Sequence, residues 1–438
     1  MFTGCSNATV TMPQNYNNVN SNGGFVVEVG NYLYYANAYK SYSKLTQDYE
    51  NNGEEVAQYS LKRVEQEDNA QKSLVLDEEE KVKFENVLNK IAGYETSNMF
   101  VVNEYLYFTS PNIHKNDSKD PDKYGKFEFE LSTLFRIKLD GSGFSELYTT
   151  ETSSAKFYLT GGENKKLLVF DDSKIMQLDC YNNSSKFKEL VKDVESTVFP
   201  YDQQLEIANI YFTTARDEED TFTGNILNVL NISNAETTEV AGYSNNGETI
   251  TLVAFDGQRL FYTRTGLAIQ ALYSNDFANG LSSQILHKYE ITNIKADSTI
   301  RVINNVDGYD IKCFVFEHNN NIYKQDLSAT NDTASIALTT ETDAKIVFVD
   351  KTYVYYTTAN GIFRVSVLTN TTQQVSDIKT LNKDYLDFDG RYVYFYASIE
   401  GAESDTQYLY RADTNACNNN SIKTECIAEL LEKDIIEE

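Results

Sequence analysis

The side chains that most readily form covalent bonds or hold metals are few in this chain. It has five cysteines and three histidines, and no Cys-X-X-Cys pair occurs. His114, His287 and His318 are far from every cysteine in the sequence, so we expect no zinc site. Cys417 and Cys426 flank a short polar segment and could close a hairpin as a disulfide; the alternative is two thiols.

Motifs that carry catalysis are not apparent. The sequence has no G-X-S-X-G, H-E-X-X-H, P-loop or G-X-G-X-X-G motif. Its 65 Asp and Glu residues are too many for any one carboxylate pair to be informative. Residues 116–122 bring three carboxylates together, but their spacing is not that of a calcium loop, and a solvated loop is preferred. We therefore predict no catalytic residue, no cofactor and no metal site.

The composition favours β-structure and an acidic surface. The chain has 438 residues with 32 Tyr, 24 Phe and no Trp, and Asn, Asp and Gly supply its turn residues. Its formal net charge of −27 disfavours binding to nucleic acid, because phosphate contacts need a positive surface. The acidity serves solubility or, alternatively, attracts a cationic partner.

A short pattern recurs about every 50 residues along the chain. An aliphatic residue is followed by two aromatic or β-branched residues and often by Thr, as in residues 106–109, Leu-Tyr-Phe-Thr. The third position of the eight copies is occupied by Tyr35, Phe108, Phe170, Phe212, Tyr262, Phe316, Tyr356 and Phe395. A strand buried on both faces explains why apolar residues run through the pattern without alternation.

Each copy lies in the same context. Asp-Gly turns precede several copies, as at Asp256-Gly257 and Asp389-Gly390, and these are typical short hairpin connections. A third strand begins with an aliphatic, an aromatic and a polar residue, and a fourth strand follows. Four strands per unit predict an all-β fold, a β-propeller of about eight four-stranded blades. Alternatives are seven or six blades plus an extra unit, a pair of β-sandwiches or a β-solenoid.

The strand patterns resemble those of known propellers. Residues 106–109, 210–213 and 354–357 resemble the YWTD strand of low-density-lipoprotein-receptor propellers, with Tyr or Phe in place of Trp, and residues 134–141 resemble the strand and turn that follow it. Lipoproteins of Gram-positive bacteria with TolB-like, Tyr-rich repeats are similar. The resemblance implies binding and scaffolding rather than a defined reaction. Those families usually have six blades.

The first residues resemble the end of a bacterial lipoprotein signal. Small residues precede Cys5 and a polar segment follows it, although Phe2 stands where the family usually has Leu. The resemblance implies lipidation of Cys5; the alternative is an ordinary disordered N-terminus with one unmodified cysteine. We accordingly predict a tether over residues 1–23, a propeller over residues 24–430 and a C-terminal tail over residues 431–438.

One segment departs from the repeat. Phe84, Val87, Leu88 and Ile91 have helical spacing after an acidic run, which predicts an inserted amphipathic helix near residues 77–92. It would pack on its own blade or, alternatively, dock a partner.

Two functions follow as expectations. The first is an extracytoplasmic, monomeric propeller that is anchored to the bacterial cell membrane only through its lipid and binds a protein or peptide without catalysis. The alternative is a carbohydrate-binding or carbohydrate-active propeller at the cell surface.

Overall fold

The computed structural model places the repeated motif on equivalent strands. It describes residues 8–20, 23–36, 61–65, 84–88, 98–112, 119–121, 125, 128, 130–182, 186–203, 205–216, 224–240, 249–265, 271–277, 285–289, 291–304, 312–328, 335–341, 343–379, 381–398 and 408–427. Within these residues the chain forms eight antiparallel sheets, in each of which every strand pairs with the next one in sequence. The chain divides into two compact units, residues 1–155 with 378–438 (unit 1) and residues 156–377 (unit 2).

Unit 1 contains three of the sheets. Sheet 1 comprises β1 (Val19–Asn20), β2 (Val26–Val29), β3 (Tyr32–Ala36), β4 (Leu61–Glu65) and β5 (Phe84–Leu88). Sheet 2 comprises β6 (Met99–Val102), β7 (Tyr105–Pro111), β8 (Ser132–Lys138) and β9 (Ser145–Thr149). Sheet 8 comprises β30 (Leu381–Phe388), β31 (Tyr392–Ala397), β32 (Tyr408–Asp413) and β33 (Thr424–Cys426).

Unit 2 contains five sheets of four strands each. Sheet 3 comprises β10 (Lys156–Leu159), β11 (Lys166–Asp171), β12 (Lys174–Asp179) and β13 (Lys188–Val191). Sheet 4 comprises β14 (Val194–Val198), β15 (Asn209–Ala215), β16 (Asn225–Asn231) and β17 (Thr237–Glu239). Sheet 5 comprises β18 (Thr249–Phe255), β19 (Arg259–Thr265), β20 (Ala271–Asp276) and β21 (Ile285–Tyr289). Sheet 6 comprises β22 (Ile300–Asn304), β23 (Lys312–His318), β24 (Asn321–Asp326) and β25 (Ile336–Ala337). Sheet 7 comprises β26 (Lys345–Val349), β27 (Tyr353–Thr358), β28 (Gly361–Ser366) and β29 (Thr372–Ser376).

Apolar side chains fill the space between consecutive sheets. One cluster joins sheets 3 and 4 through Leu168 and Phe212, and another joins sheets 5 and 6 through Phe261 and Phe314. Within unit 1, sheet 1 packs on sheet 2 and also on sheet 8, the last sheet that the structure describes. Four-stranded sheets that bury both faces against neighbours in this way are propeller blades. The fold is an all-β β-propeller with eight blades, as the sequence predicted, and the sheets are called blades 1–8 below.

The third motif position lies on the second blade strand in all eight copies, counting β1 as an addition to blade 1. Seven of these side chains are at most 2% exposed, and Phe170 is half-buried. The Thr that often follows is also buried, and in some blades its hydroxyl bonds toward the first strand. For example, Thr109 Oγ1 accepts a hydrogen bond from the Asn98 amide at 3.0 Å. The motif therefore marks the strand that neighbouring blades cover.

Buried arginines stack on tyrosine rings in several blades. On blade 1 the Arg63 guanidinium carbon lies 4.0 Å from the centre of the Tyr32 ring, and on blade 7 the Arg364 carbon lies 4.1 Å from that of Tyr353. Both arginines are on third strands. Each is two residues away from the position directly opposite its tyrosine on the second strand. Stacking on an aromatic face lets a cation be buried without a carboxylate at that face.

The predicted helix near residues 77–92 is wrong over Phe84–Leu88. These residues form β5, which pairs with β4 in a register that sets Leu61 opposite Leu88. The edge of β4 that β3 leaves unpaired offers backbone hydrogen bonds to β5, and these outweigh a helical spacing of apolar residues. The rest of residues 77–92 lies outside the described residues.

The predicted tether is also wrong for residues 8–20, which pack on unit 1. The Thr9 amide donates to Asp140 O at 2.9 Å and Thr9 Oγ1 donates to Val87 O at 2.7 Å. Arg63 Nη1 donates to Thr11 O at 2.5 Å, and Val10, Met12, Tyr16 and Val19 pack on the apolar cluster between blades 1 and 2. Composition suggested flexibility, but these contacts depend on blades that are distant in sequence.

Candidate functional site

Two of the three cysteines singled out in the sequence lie in the described part of the chain. Cys5 lies outside the described residues. Cys417 is buried in a 3-10 helix, Ala416–Asn419, and Cys426 is partly buried at the end of β33, opposite Tyr410. Both sulfurs are thiols in this structure, and the disulfide stays a prediction.

The histidines and the acidic loop were the other candidates for metal binding. His287 lies on β21 and His318 ends β23, whereas His114 is outside the described residues. Only residues 119–121 of the acidic segment 116–122 are described. In the part of the chain that the structure covers, no three His, Cys, Asp or Glu side chains are grouped so as to hold a metal ion.

Aspartates close the turns at one end of the blades. At this side of each blade the first strand ends, the second strand begins and the third strand ends. We call it the turn edge. Asp256 Oδ1 accepts a hydrogen bond from the Gln258 amide at 2.8 Å, and Asp389 Oδ1 accepts one from the Arg391 amide at 2.8 Å. Gly257 follows Asp256 at φ 94°, where a side chain would be strained. Part of the acidity of the chain therefore has a structural use.

A cleft of about 380 Å³ opens at the turn edge between blades 5 and 6 of unit 2. We call it the 5/6 cleft. It is lined by Arg259, Asp276, His287, Lys312, Asp326, Leu327 and Ser328. Blade 5 supplies the first three side chains, and blade 6 and the turn after its third strand supply the others.

Arg259 is held between two carboxylates at this cleft. Its Nη1 lies 3.4 Å from Asp256 Oδ2, and its Nη2 lies 3.3 Å from Asp276 Oδ2. Gln258 Nε2 donates to both oxygens of Asp276, at 2.9 and 3.0 Å. The side chain of Arg259 is only 12% exposed, so its guanidinium is fixed before any ligand arrives.

Burial raises the pKa of two groups beside the cleft. It raises the pKa of Asp256, opposed by hydrogen bonds from the Arg259 and Gln258 amides and by the Arg259 charge. It also raises the pKa of Tyr289 to about 12. The Tyr289 hydroxyl lies 3.0 Å from Ser274 Oγ and donates to Leu327 O at 3.0 Å. Tyr289 therefore stays protonated at neutral pH and supports the floor of the cleft.

The 5/6 cleft presents charges of both signs. Arg259 and Lys312 are cationic, and Asp276 and Asp326 are carboxylates. Ser328 Oγ donates to Asp326 Oδ1 at 2.7 Å, which uses this hydroxyl in the turn. Such a lining can pair with both acidic and basic groups of one ligand.

Sequence reasoning missed this cleft, although a signal was present. The Asp256-Gly257 turn is evident in the sequence, but the significance of Arg259, two residues after it, depends on its pairing with Asp276 at the end of the next strand. Arg259 and Asp276 are direct cross-strand partners, as are Lys166 and Asp179, which form an ion pair at 3.0 Å. Opposite charges at the two ends of a predicted hairpin were the available signal. The facing blade could not be inferred from them.

The chain was also compared with known proteins. No family model matches the chain, and no curated protein matches it. Among the described residues, no helix is both long and apolar enough to span a bilayer.

Several solved structures are similar to the chain in fold. Oligopeptidase B from Trypanosoma brucei has a TM-score of 0.42 at 12% identity, with 75% of this chain and 47% of that chain covered. A puromycin-hydrolyzing peptidase of Mycobacterium tuberculosis has a TM-score of 0.41 at 10% identity, with 75% and 52% covered. TolB from Acinetobacter baumannii has a TM-score of 0.31 at 11% identity, with 68% and 76% covered. The chain thus spans about half the length of the peptidases it matches.

Proposed function

We propose that the protein is an extracytoplasmic, lipid-anchored β-propeller that binds a protein or peptide partner at the 5/6 cleft without catalysis. The observation that carries this proposal is the fixed guanidinium of Arg259, which lies between two carboxylates in a cleft that also holds Lys312 and Asp326. A peptide carries ammonium, carboxylate and amide groups together, and this lining complements all three. A volume of about 380 Å³ accommodates a few side chains.

The test of partner binding uses a charge reversal and a matched control. Lys312 and Lys188 are both exposed first residues of strands, and only Lys312 lines the cleft. The immobilised wild-type chain, Lys312→Glu and Lys188→Glu are each incubated with a cell-envelope extract, and bound proteins are quantified by mass spectrometry. We expect a partner that wild type and Lys188→Glu capture and Lys312→Glu does not. Equal capture by all three variants would refute the cleft as the binding site.

The alternative carbohydrate function is tested in the same experiment. Protease treatment of the extract should abolish capture, whereas glycosidase treatment should leave it unchanged; the reverse result would favour the carbohydrate function. A synthetic peptide from the captured partner should have the same mass after incubation with the chain. A cleaved peptide would show that the protein is an enzyme.

The proposed anchor is Cys5, and the packed segment that follows it limits the reach of the anchor. Thr9 is held by Val87 O and Asp140 O, and the four residues from Cys5 to Thr9 span at most about 14 Å. A lipid on Cys5 would therefore keep unit 1 close to the bilayer.

Lipid anchoring is tested by fractionation of cells that express the gene with its native leader. We expect Cys5→Ser to move the protein from the membrane to the soluble fraction, because the acyl chains are lost. Ser6→Ala, the adjacent control, should stay with the membrane. If Cys5→Ser fractionates like wild type, the lipoprotein proposal fails and the proposed binding at the cleft is unaffected.

A further inference from the structure

A second cleft, of about 650 Å³, opens at the turn edge between blades 3 and 4 of unit 2. We call it the 3/4 cleft. One wall is the turn before β11, including Gly162 and Glu163, and the opposite wall is the turn before β15, including Glu206 and Ile207. Gln177 of β12 also lines the cleft. This site shares no residue with the 5/6 cleft.

The walls of the 3/4 cleft are fixed to each other. The Gly161 amide donates to Leu205 O at 2.8 Å, and the Tyr158 hydroxyl donates to the same oxygen at 3.1 Å. The Leu159 amide donates to Gln203 Oε1 at 3.1 Å. These bonds join the end of β10 and the turn that follows it to the turn before β15 without any ligand, so little ordering is needed on binding.

One buried hydrogen-bond acceptor at this cleft has no donor. Gln177 Oε1 is buried and accepts no hydrogen bond in the described part of the chain. Such an oxygen costs stability unless a donor reaches it. The terminal torsion of a glutamine is broad, so rotation of the amide can turn this oxygen toward the cleft.

The charge of the cleft is negative. Glu163 and Glu206 are both exposed, and neither has an ion pair or a hydrogen bond within the residues that the structure describes. The cation in the lining, Lys166, is already paired with Asp179 at 3.0 Å. The Glu206 side chain lies against Gly162. A Cβ atom at position 162 would be only 3.1 Å from the Glu206 carboxyl carbon. Glycine therefore leaves room for the carboxylate beside the turn.

An apolar surface completes the lining. Ile232 is 8% exposed, and Ile207 is half-buried beside Ala208. A ligand that suits the whole cleft combines a cationic head rich in donors with an apolar stem. The planar guanidinium of arginine offers five N–H donors, and its three methylenes can lie on isoleucine side chains.

We propose that the 3/4 cleft binds an arginine side chain, its guanidinium directed to Glu206, Glu163 and Gln177 and its methylenes lying on Ile207 and Ile232. This inference rests on the proposed function for the source of the arginine, which is the protein or peptide partner. The site itself is tested with a small probe and without any partner.

The experiment follows the isoleucine methyl resonances of the full chain during titration with N-acetyl-L-argininamide. Ile207→Val and Ile232→Val assign the two resonances. We expect both to shift and to saturate with a Kd on the order of 1 mM, while isoleucine methyls outside the cleft stay in place. The double variant Glu163→Gln with Glu206→Gln should raise the Kd at least about tenfold, since it removes both unpaired charges. Gln177→Leu should also raise it.

The matched control is Glu189→Gln, which removes an exposed carboxylate of β13 that does not line the cleft. It should leave the Kd within about twofold of wild type. Unchanged resonances of the other isoleucines show that each variant is folded.

Three results would overturn the inference. They are no shift at the two methyls, equal shifts with N-acetyl-L-leucinamide, and a Kd for N-acetyl-L-lysinamide as low as for the arginine probe. Saturable binding of the arginine probe together with no captured partner would refute the proposed function and leave this site standing. Capture of a partner together with no methyl shift would refute the arginine site and leave the proposed function standing.

Discussion

At the scale of single residues, the motif aromatics should contribute to stability according to how completely they are buried. Phe212 is fully buried between blades 3 and 4, whereas Phe170 is half-buried on blade 3. We predict that Phe212→Ala lowers the free energy of unfolding by about 3–5 kcal/mol. Phe170→Ala, the control at the equivalent position, should cost less. Urea unfolding measures both, and a loss at Phe212 no larger than at Phe170 would contradict the prediction.

A second residue-scale prediction concerns acid stability through Asp413. Burial opposes the ionisation of Asp413. Hydrogen bonds from Arg391 Nη2, at 2.7 Å, and from the Asn415 amide favour the carboxylate and outweigh burial. The pKa of Asp413 is therefore lowered below the usual 3.8. A lowered pKa stabilises the fold above pH 3.8, and this contribution is lost as the pH falls through the folded-state pKa. Asp413→Asn should therefore be less stable than wild type at pH 7, with a smaller difference near pH 3. Urea midpoints at both pH values test this; a constant difference would contradict it.

The sequence revealed the buried aromatics because both faces of a second strand are covered in every blade, which leaves a continuous apolar run. It did not reveal Arg259 as a site residue, since the meaning of that residue depends on the facing blade 6. Glu163 and Glu206 are separated in sequence by four strands, β11 to β14, and come together only at the 3/4 cleft. Residue types with local causes were predictable, and pairs set by blade packing were not.

At the scale of elements, Arg63 should hold the N-terminal segment in place. It donates to Thr11 O at 2.5 Å and to the Tyr34 hydroxyl at 3.1 Å. We predict that Arg63→Met speeds hydrogen exchange at the amides of Thr9 and Val10, because the segment detaches from blade 1. Arg364→Met is the matched control, since Arg364 also stacks on a tyrosine but bonds to Gln373 within its own blade. Equal exchange in both variants would show that other contacts hold the segment.

The end of blade 8 provides the second element-scale prediction. Cys417 lies just after β32 and Cys426 ends β33, so a disulfide would fasten the last strand that the structure describes. Closing so short a loop should add about 2–3 kcal/mol. We expect the oxidised protein to alkylate at neither residue until it is reduced, as intact mass can show.

Cys313 is an internal reference for that experiment. Burial raises the pKa of its thiol to about 11, so it should stay unreactive at neutral pH whether or not a reductant is present. Alkylation of both Cys417 and Cys426 before reduction would show that the bridge is absent.

The strand β5 shows where element prediction fails. Phe84, Val87 and Leu88 satisfy the spacing of a helix face, yet they lie in a strand because β4 provides a partner for its backbone. Blades with a regular spacing between their strands were predicted well. Blade 1 was not, because its long connections hide the position of its fourth strand.

At the scale of the whole molecule, the first and last blades belong to the same unit. Asp387 of blade 8 accepts a hydrogen bond from the Val26 amide of blade 1 at 3.1 Å. Phe25 and Tyr396 pack with ring centres 4.9 Å apart. The number of repeats predicted the number of blades. The repeats did not specify that blade 1 would pack against blade 8.

The packing of blade 1 against blade 8 has a consequence for biosynthesis. Blade 1 leaves the ribosome before the other blades, and blade 8, which covers one of its faces, follows all of them, since unit 1 resumes only at Ile378. The blades of unit 2 meet their neighbours in the order in which they are translated. Blade 1 instead keeps the aromatic face formed by Phe25 and Tyr35 uncovered until blade 8 has been made. Unit 1 can therefore complete its core only after blade 8 has left the ribosome, and until then this aromatic face is exposed on the nascent chain.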